Sequence, residues 1–264
     1  MSSFNKKEKF HLMGRSQLKK YFKNGTVPVE NHFNFLIESM ANKLDDGFSK
    51  EEEHGLMIAP TGRSERLISF FESIDEKSPA WYMEKGSKDN PGLHIGEGDG
   101  TTRMFLQAGG NVGIGTEKPQ HKLEVDGFVG MKGRIGTFLS GEVPANGRWH
   151  TIAGNLNHAQ AFEVISRVGR KTTGKHAMMH AFAFATFGGD SSTCIRKSSA
   201  YFRFFWHKIS IRFTGNTFNY QLQLKTWMNY GEDEDGRDIM IRYYITKLWE
   251  DETLLPNNEL YIRQ

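Results

Sequence analysis

The chain has 264 residues, 38% hydrophobic and 25% charged, which suits one large domain or two modest ones and excludes collagen-like, mucin-like and fully disordered classes. No stretch approaches the ~18 uninterrupted apolar residues of a membrane span, and Met1 to Lys9 carries charge with no apolar run behind it, so the expectation is a product made in the cytosol, without a secretory signal or membrane insertion. The net charge of +3 conceals an asymmetry: residues 139–228 hold eleven Lys and Arg against three acids, and residues 229–264 hold four against nine, or +8 followed by −5.

In chain order, helices come first. Ser16 is placed to cap a short helix with Leu18, Tyr21 and Phe22 on its apolar side, and Asn24-Gly25 supplies the left-handed residue that ends it. Thr26, Pro28 and Glu30 then start a second helix. In it Val29, Phe33, Leu36, Ile37, Met40 and Leu44 recur at spacings of three and four, Phe35 lies off that stripe, and Asp45-Asp46-Gly47 is the stop. Helices this short cannot bury their stripes against each other. Phe33, Phe35, Leu36, Ile37 and Met40 are therefore candidate docking or oligomerisation residues, the alternative being that they fold back on the chain's own downstream part.

Fourteen of the 28 glycines lie between Gly86 and Gly141, among short β-like pieces: Leu93-His94-Ile95, Arg103 to Leu106, Asn111 to Ile114 and Lys122 to Val125. Glycine adds no side chain to a core and costs backbone entropy, so such pieces predict strands that lack a core of their own and intertwine with identical chains. Val112, Gly113, Ile114, Gly115, Leu123 and Val125 are the candidate shaft residues, with the two glycines facing a crowded axis. Gly109 to Thr116 also invites a phosphate-loop reading, but the lysine followed by Ser or Thr is missing and Pro119 would break the helix such a loop needs.

From about Glu142 the runs lengthen and alternate: Ala161 to Val168, Ala177 to Phe187, Tyr201 to Phe213, Phe218 to Met228 and Ile239 to Trp249, with glycine-marked turns between. This predicts an antiparallel β-sandwich, jelly-roll-like. The division expected is 1–55 helical docking segment, 56–138 glycine-rich β-shaft and 139–264 sandwich, in a mainly β homotrimer.

No catalytic, cofactor-binding or metal-ligating set is expected. His176 and His180 fall on a strand, too far apart to chelate together, Glu232 to Gly236 reads as a solvated hairpin tip rather than a calcium loop, and Cys194, the single cysteine, is placed in a loop and inert. No nucleophile elbow or facing carboxylate pair stands out. The basic stretch is either a β-domain lying beside its own acidic tail and hairpin or a polyanion-binding face; nucleic acid is not expected, because no basic helix or zinc finger accompanies the charge. Tyr201 to Trp206 places aromatics on both faces of a strand, so one face is covered by a neighbouring subunit or forms a sugar-stacking surface, with Tyr201, Arg203, Phe205 and Trp227 as candidate recognition residues.

The segment Asn111 to Gly127 closely resembles the "VGIGT-x-x-P-x-x-K-L-x-V-x-G" segment of shafts in bacteriophage tail fibres and related trimeric surface fibres. Tyr21-Phe22, Gly25, Pro28, Phe33, Leu36-Ile37 and Ser39 are similar to the helical "Y-F-x-x-G-x-x-P-x-x-x-x-F-x-x-L-I-x-S" element of fibre and tail-associated proteins. Together the two cover about residues 20–45 and 109–140; the β-domain has no comparable match. The resemblance implies a homotrimeric, non-enzymatic structural or attachment component of a phage tail or tail-like contractile injection particle. Such a component is assembled in the bacterial cytoplasm and then carried in a virion or released particle. Its partners would be itself, other structural proteins of the particle, and a cell-surface glycan or receptor; a tailspike-type glycan hydrolase is a further alternative. The chain departs from long fibres in having one glycine-rich motif and no recognisable self-cleaving chaperone domain, which implies a short trimer.

Overall fold

The computed structural model describes residues 14–40, 46–60, 64–73, 75–171, 174–189 and 192–251. The protein is mainly β, with strands over 49% of the chain and two short helices. It divides into two compact units, Met1–Gly130 and Met131–Gln264.

In the first unit, α1 (Arg15–Tyr21) and α2 (Glu30–Glu38) pack on each other: Phe22 meets Phe33 edge-on with centroids 5.6 Å apart, and Tyr21 stacks on His32 at 3.9 Å. The N-cap of α1 is Gly14 rather than Ser16, and no side chain caps it. Gly25 does take the left-handed conformation, at φ +85, and Thr26 Oγ1 donates to the carbonyl of Tyr21 at the helix end. The expected continuation of α2 through Leu44 to Asp45 falls outside the described residues. A hairpin of β1 (Phe48–Glu51) and β2 (Gly55–Ile58) follows; a domain boundary at residue 55 would cut it.

The glycine-rich region forms one six-stranded sheet in chain order: β3 (Arg66–Phe70), β4 (Trp81–Lys85), β5 (Gly92–Glu97), β6 (Thr102–Gln107), β7 (Val112–Ile114) and β8 (Leu123–Val125). All four predicted pieces are strands of it. Within the chain every strand pairs with its neighbour, antiparallel as far as β7 and then parallel from β7 to β8. The buried apolar side chains on this sheet are two aromatics set against bare backbone. Tyr82 and Phe105 are buried over glycine positions, where a Cβ at Gly96 would strike the Tyr82 ring and one at Gly92 the Phe105 ring.

The second unit holds two antiparallel sheets around one core. The five-stranded sheet runs β13 (Thr193–Tyr201), β12 (Lys175–Ala185), β11 (Gln160–Arg170), β16 (Met240–Glu250) and β9 (Leu139–Pro144). The three-stranded sheet runs β10 (His150–Leu156), β15 (Asn219–Thr226) and β14 (Ile209–Asn216). Alternation decides the inner face: Phe162, Val164 and Val168 of β11, Met179, Ala181 and Ala183 of β12, Leu222 and Leu224 of β15, and Ile241 and Ile245 of β16 share one buried cluster. Residues 131–138 belong with this unit rather than with the glycine-rich sheet. Arg134 reaches both carboxylate oxygens of the buried Glu163 at 2.8 and 2.6 Å, and the Phe138 N–H donates to the Ile245 carbonyl at 3.1 Å.

Cys194 lies on β13 and not in a loop, since its stretch pairs with β12 from Thr193 onward. The run Tyr201 to Phe213 is not a single strand. It breaks after Tyr201 into a turn with Arg203 at φ +66 and a 3-10 turn at Phe205–His207, because His207 is drawn inward, where its Nδ1 lies 2.7 Å from the Phe202 carbonyl oxygen and its own carbonyl accepts the Tyr230 hydroxyl.

Candidate functional site

The shaft motif folds as a strand, a crossing loop and a strand. Residues 115–122 connect parallel β7 and β8 across one face of the six-stranded sheet, and Pro119 is buried there. Asn111 Nδ2 donates to the Pro119 carbonyl at 3.1 Å, Asn90 Nδ2 to the Glu117 carbonyl at 3.0 Å, and Lys122 Nζ to the Gly109 carbonyl at 3.2 Å. Beneath lie His94 and Phe105, stacked at 4.4 Å, with the Glu117 carboxylate 3.7 Å from His94 Nδ1.

This loop explains the two glycines differently from the sequence expectation. Gly113 is buried against its own chain, where a Cβ would overlap the Thr116 carbonyl oxygen, and Gly115 turns the chain at φ +75. The glycine side of β7 is the side the chain covers for itself.

The opposite side is apolar and uncovered. Pairing aligns Ile68, Met83, Ile95, Met104, Ile114 and Val125 in one row across all six strands. Beside it runs a second row, Leu93, Leu106, Val112 and Leu123, ending at Lys85. Phe70 and Trp81 add an exposed pair at the far end. None of the ten residues in the two rows is buried, and Leu123 is 63% and Ile114 41% exposed. The structure thus brings the predicted Val112, Ile114, Leu123 and Val125 onto one surface. Sequence reasoning missed Ile68, Met83, Ile95, Met104 and Leu106 as their partners, since the register that aligns them depends on long-range pairing.

Phe33 and Ile37 of α2 and Met40, just past its end, are exposed, and Phe35 and Leu36 are half-buried. The five predicted residues thus divide between the packing of the helical pair and open surface.

In the second unit, Phe202, Phe204, Phe205, Trp206 and Trp227 are all exposed where β13 leads into β14. Phe204 stacks on Trp206 at 4.5 Å, Phe205 meets Trp227 edge-on at 6.3 Å, and the Trp227 Nε1–H donates to Ser210 Oγ at 2.5 Å. Of the predicted recognition residues, Phe205 and Trp227 are brought together, Tyr201 sits under Lys208 Nζ at 4.9 Å, and Arg203 lies over Phe202 at 5.5 Å. His176 and His180 do fall on one face of β12; His180 Nε2 lies 2.8 Å from Glu163 Oε1. In the acidic turn, Asp233 Oδ1 accepts the N–H groups of Asp235 and Arg237. Burial pushes the hydroxyl of Tyr230 up to about 12, and burial reinforced by the Asp251 charge does the same for Tyr220. Both hydroxyls donate to backbone carbonyls, those of His207 and His158, at 2.7 Å.

No helix among the described residues is long and apolar enough to cross a membrane. Compared with known proteins, the chain matches no family model and no curated protein.

Proposed function

We propose that the protein is a short, homotrimeric, non-enzymatic element of a phage tail or tail-like contractile injection particle, docked by its N-terminal region and ending in the jelly-roll-like sandwich. The observation that carries this reading is the apolar face of the six-stranded sheet. A monomer that left two apolar rows in water across six strands would expose a patch of the kind that marks an interface. Three copies turning these faces to a common axis bury all of them at once, without any strand leaving its own sheet. The glycine side, already closed by the crossing loop, faces outward. The exposed Phe33 and Ile37 of α2, with Met40 just beyond it, supply the docking surface toward the particle, consistent with the two sequence resemblances.

The test is to tag the chain in the cell that encodes it, sediment intact particles and image them by electron microscopy with a label on the tag. The expected result is label at one position on tail-like particles. Recovery of the chain only as a free species, with tail-like particles present and unlabelled, overturns the reading.

A further inference from the structure

The five-stranded sheet of the second unit is wider than the three-stranded sheet that closes it. On β13 the residues facing the core side are Ile195, Lys197, Ser199 and Tyr201, opposite Ala183, Ala181, Met179 and Ala177 of β12. All four β12 residues are buried and Ile195 packs at the core's margin, whereas Lys197, Ser199 and Tyr201 are exposed. β14 is the last strand of the covering sheet. The core side of β13 is therefore a ledge.

The end of the ledge meets the aromatic turn. Lys208 sits over the Tyr201 ring, and the Trp227 N–H donates to the Lys208 carbonyl at 3.1 Å, which sets Trp227 beside it. Phe205 crosses Trp227 at 78° and Trp206 at 72°. Tyr201, Phe205 and Trp227 are 41%, 53% and 55% exposed. Among the described residues neither Lys197 nor Lys208 has an acidic partner within ion-pair distance. Partial burial, and then the charge of Lys208, hold the Lys197 amine below its ordinary value. Two cations left near each other without an anion, amid exposed rings and the exposed Ser199, form a surface complementary to a ligand that carries both apolar ring faces and negative charge.

We propose that this ledge binds an acidic polysaccharide, with sugar rings packed on Tyr201, Phe205 and Trp227 and their carboxylates or sulfates held by Lys197 and Lys208. Single-stranded nucleic acid fits less well, because bases stack on rings lying parallel to them in series and need a track of cations along the backbone. Here the Phe205 ring crosses both Trp227 and Trp206 steeply, so that Phe204 and Trp206 make the one parallel pair and no series of parallel rings runs along the ledge, and the unpaired charge is concentrated on two compact amines. The inference uses the second unit alone, so it stands or falls separately from the fibre reading.

The test is calorimetric titration of the intact chain with alginate and heparin hexasaccharides, maltohexaose and a deoxythymidine decamer. The expected result is binding of at least one acidic hexasaccharide, weakened by salt, and at least about tenfold tighter than maltohexaose. Lys197→Gln with Lys208→Gln should lower that affinity by about tenfold or more while the far-ultraviolet dichroism shows the fold retained. The proposal is overturned by no acidic-sugar binding at millimolar ligand, by affinity unchanged in the double variant, or by tighter binding of the decamer. A lower oligomer mass in Trp227→Ser, with the fold intact by circular dichroism, would overturn it as well, by assigning the ledge to contacts between copies.

Discussion

Replacing Ile114 by Asp separates what a single chain needs from what the assembly needs. In an isolated chain Ile114 is 41% exposed and touches water already, so the substitution should cost about 1 kcal/mol, mostly from lost strand propensity and its cross-strand neighbours Met104 and Val125. In a trimer closed on this face the remaining surface is removed from water. That is about 75 Å² per chain, worth about 2 kcal/mol at 25 cal/mol/Å². Over three chains the loss is about 6 kcal/mol, some four orders of magnitude in the association constant, before the added cost of bringing three carboxylates into an apolar contact. Sedimentation velocity should show wild type at about 90 kDa, three times 30.1 kDa, and Ile114→Asp at about 30 kDa with its far-ultraviolet dichroism retained. An Ile114→Asp protein that keeps the wild-type trimer mass would refute the assignment of this face.

Gly113→Val should behave in the opposite way, lowering the melting temperature at every protein concentration by calorimetry, because the added side chain meets the Thr116 carbonyl of its own chain and costs on the order of 1–3 kcal/mol. Phe33→Asp or Ile37→Asp should leave the sandwich folded and abolish incorporation into particles, scored by immunoblot of sedimented material; incorporation at the wild-type level would contradict docking through α2. Tyr220 and Tyr230 have folded values raised to about 12 from 10, so the stability each contributes is complete below pH 10 and is lost as pH climbs from 10 through 12. Each represents up to about 3 kcal/mol. Denaturant midpoints should therefore fall between pH 10 and 12, and Tyr230→Phe should flatten that fall.

Local pattern carried the strands well. Val164 and Val168 against Ile165 and Arg167, or Tyr220, Leu222 and Leu224 against Gln221 and Lys225, are period-two signals that survive into the structure as a buried face and a more open one. What the sequence hid was register. Ile68 and Val125 lie 57 positions apart and belong to the same row only through five successive strand pairings, none of which leaves a local mark. The same gap hides the surroundings of Gly113: its bare backbone suggests a contact between chains, whereas the crossing loop that fills the space, residues 115–122, shows itself only once β7 and β8 pair in parallel. At Tyr201 to Trp206 continuous aromatic character imitated a strand, while the burial of His207 and the positive φ of Arg203 turned the chain instead.

The proposed contact between copies of this chain runs through the apolar face of the six-stranded sheet. Spin labels on Ile114→Cys, in a chain whose exposed Cys194 is changed to Ser, address it directly. Sheets packed face to face lie about 10 Å apart, so dipolar spectroscopy should report three coupled spins at roughly 10–25 Å. A spectrum with no dipolar coupling from a correctly folded, fully labelled protein would contradict it.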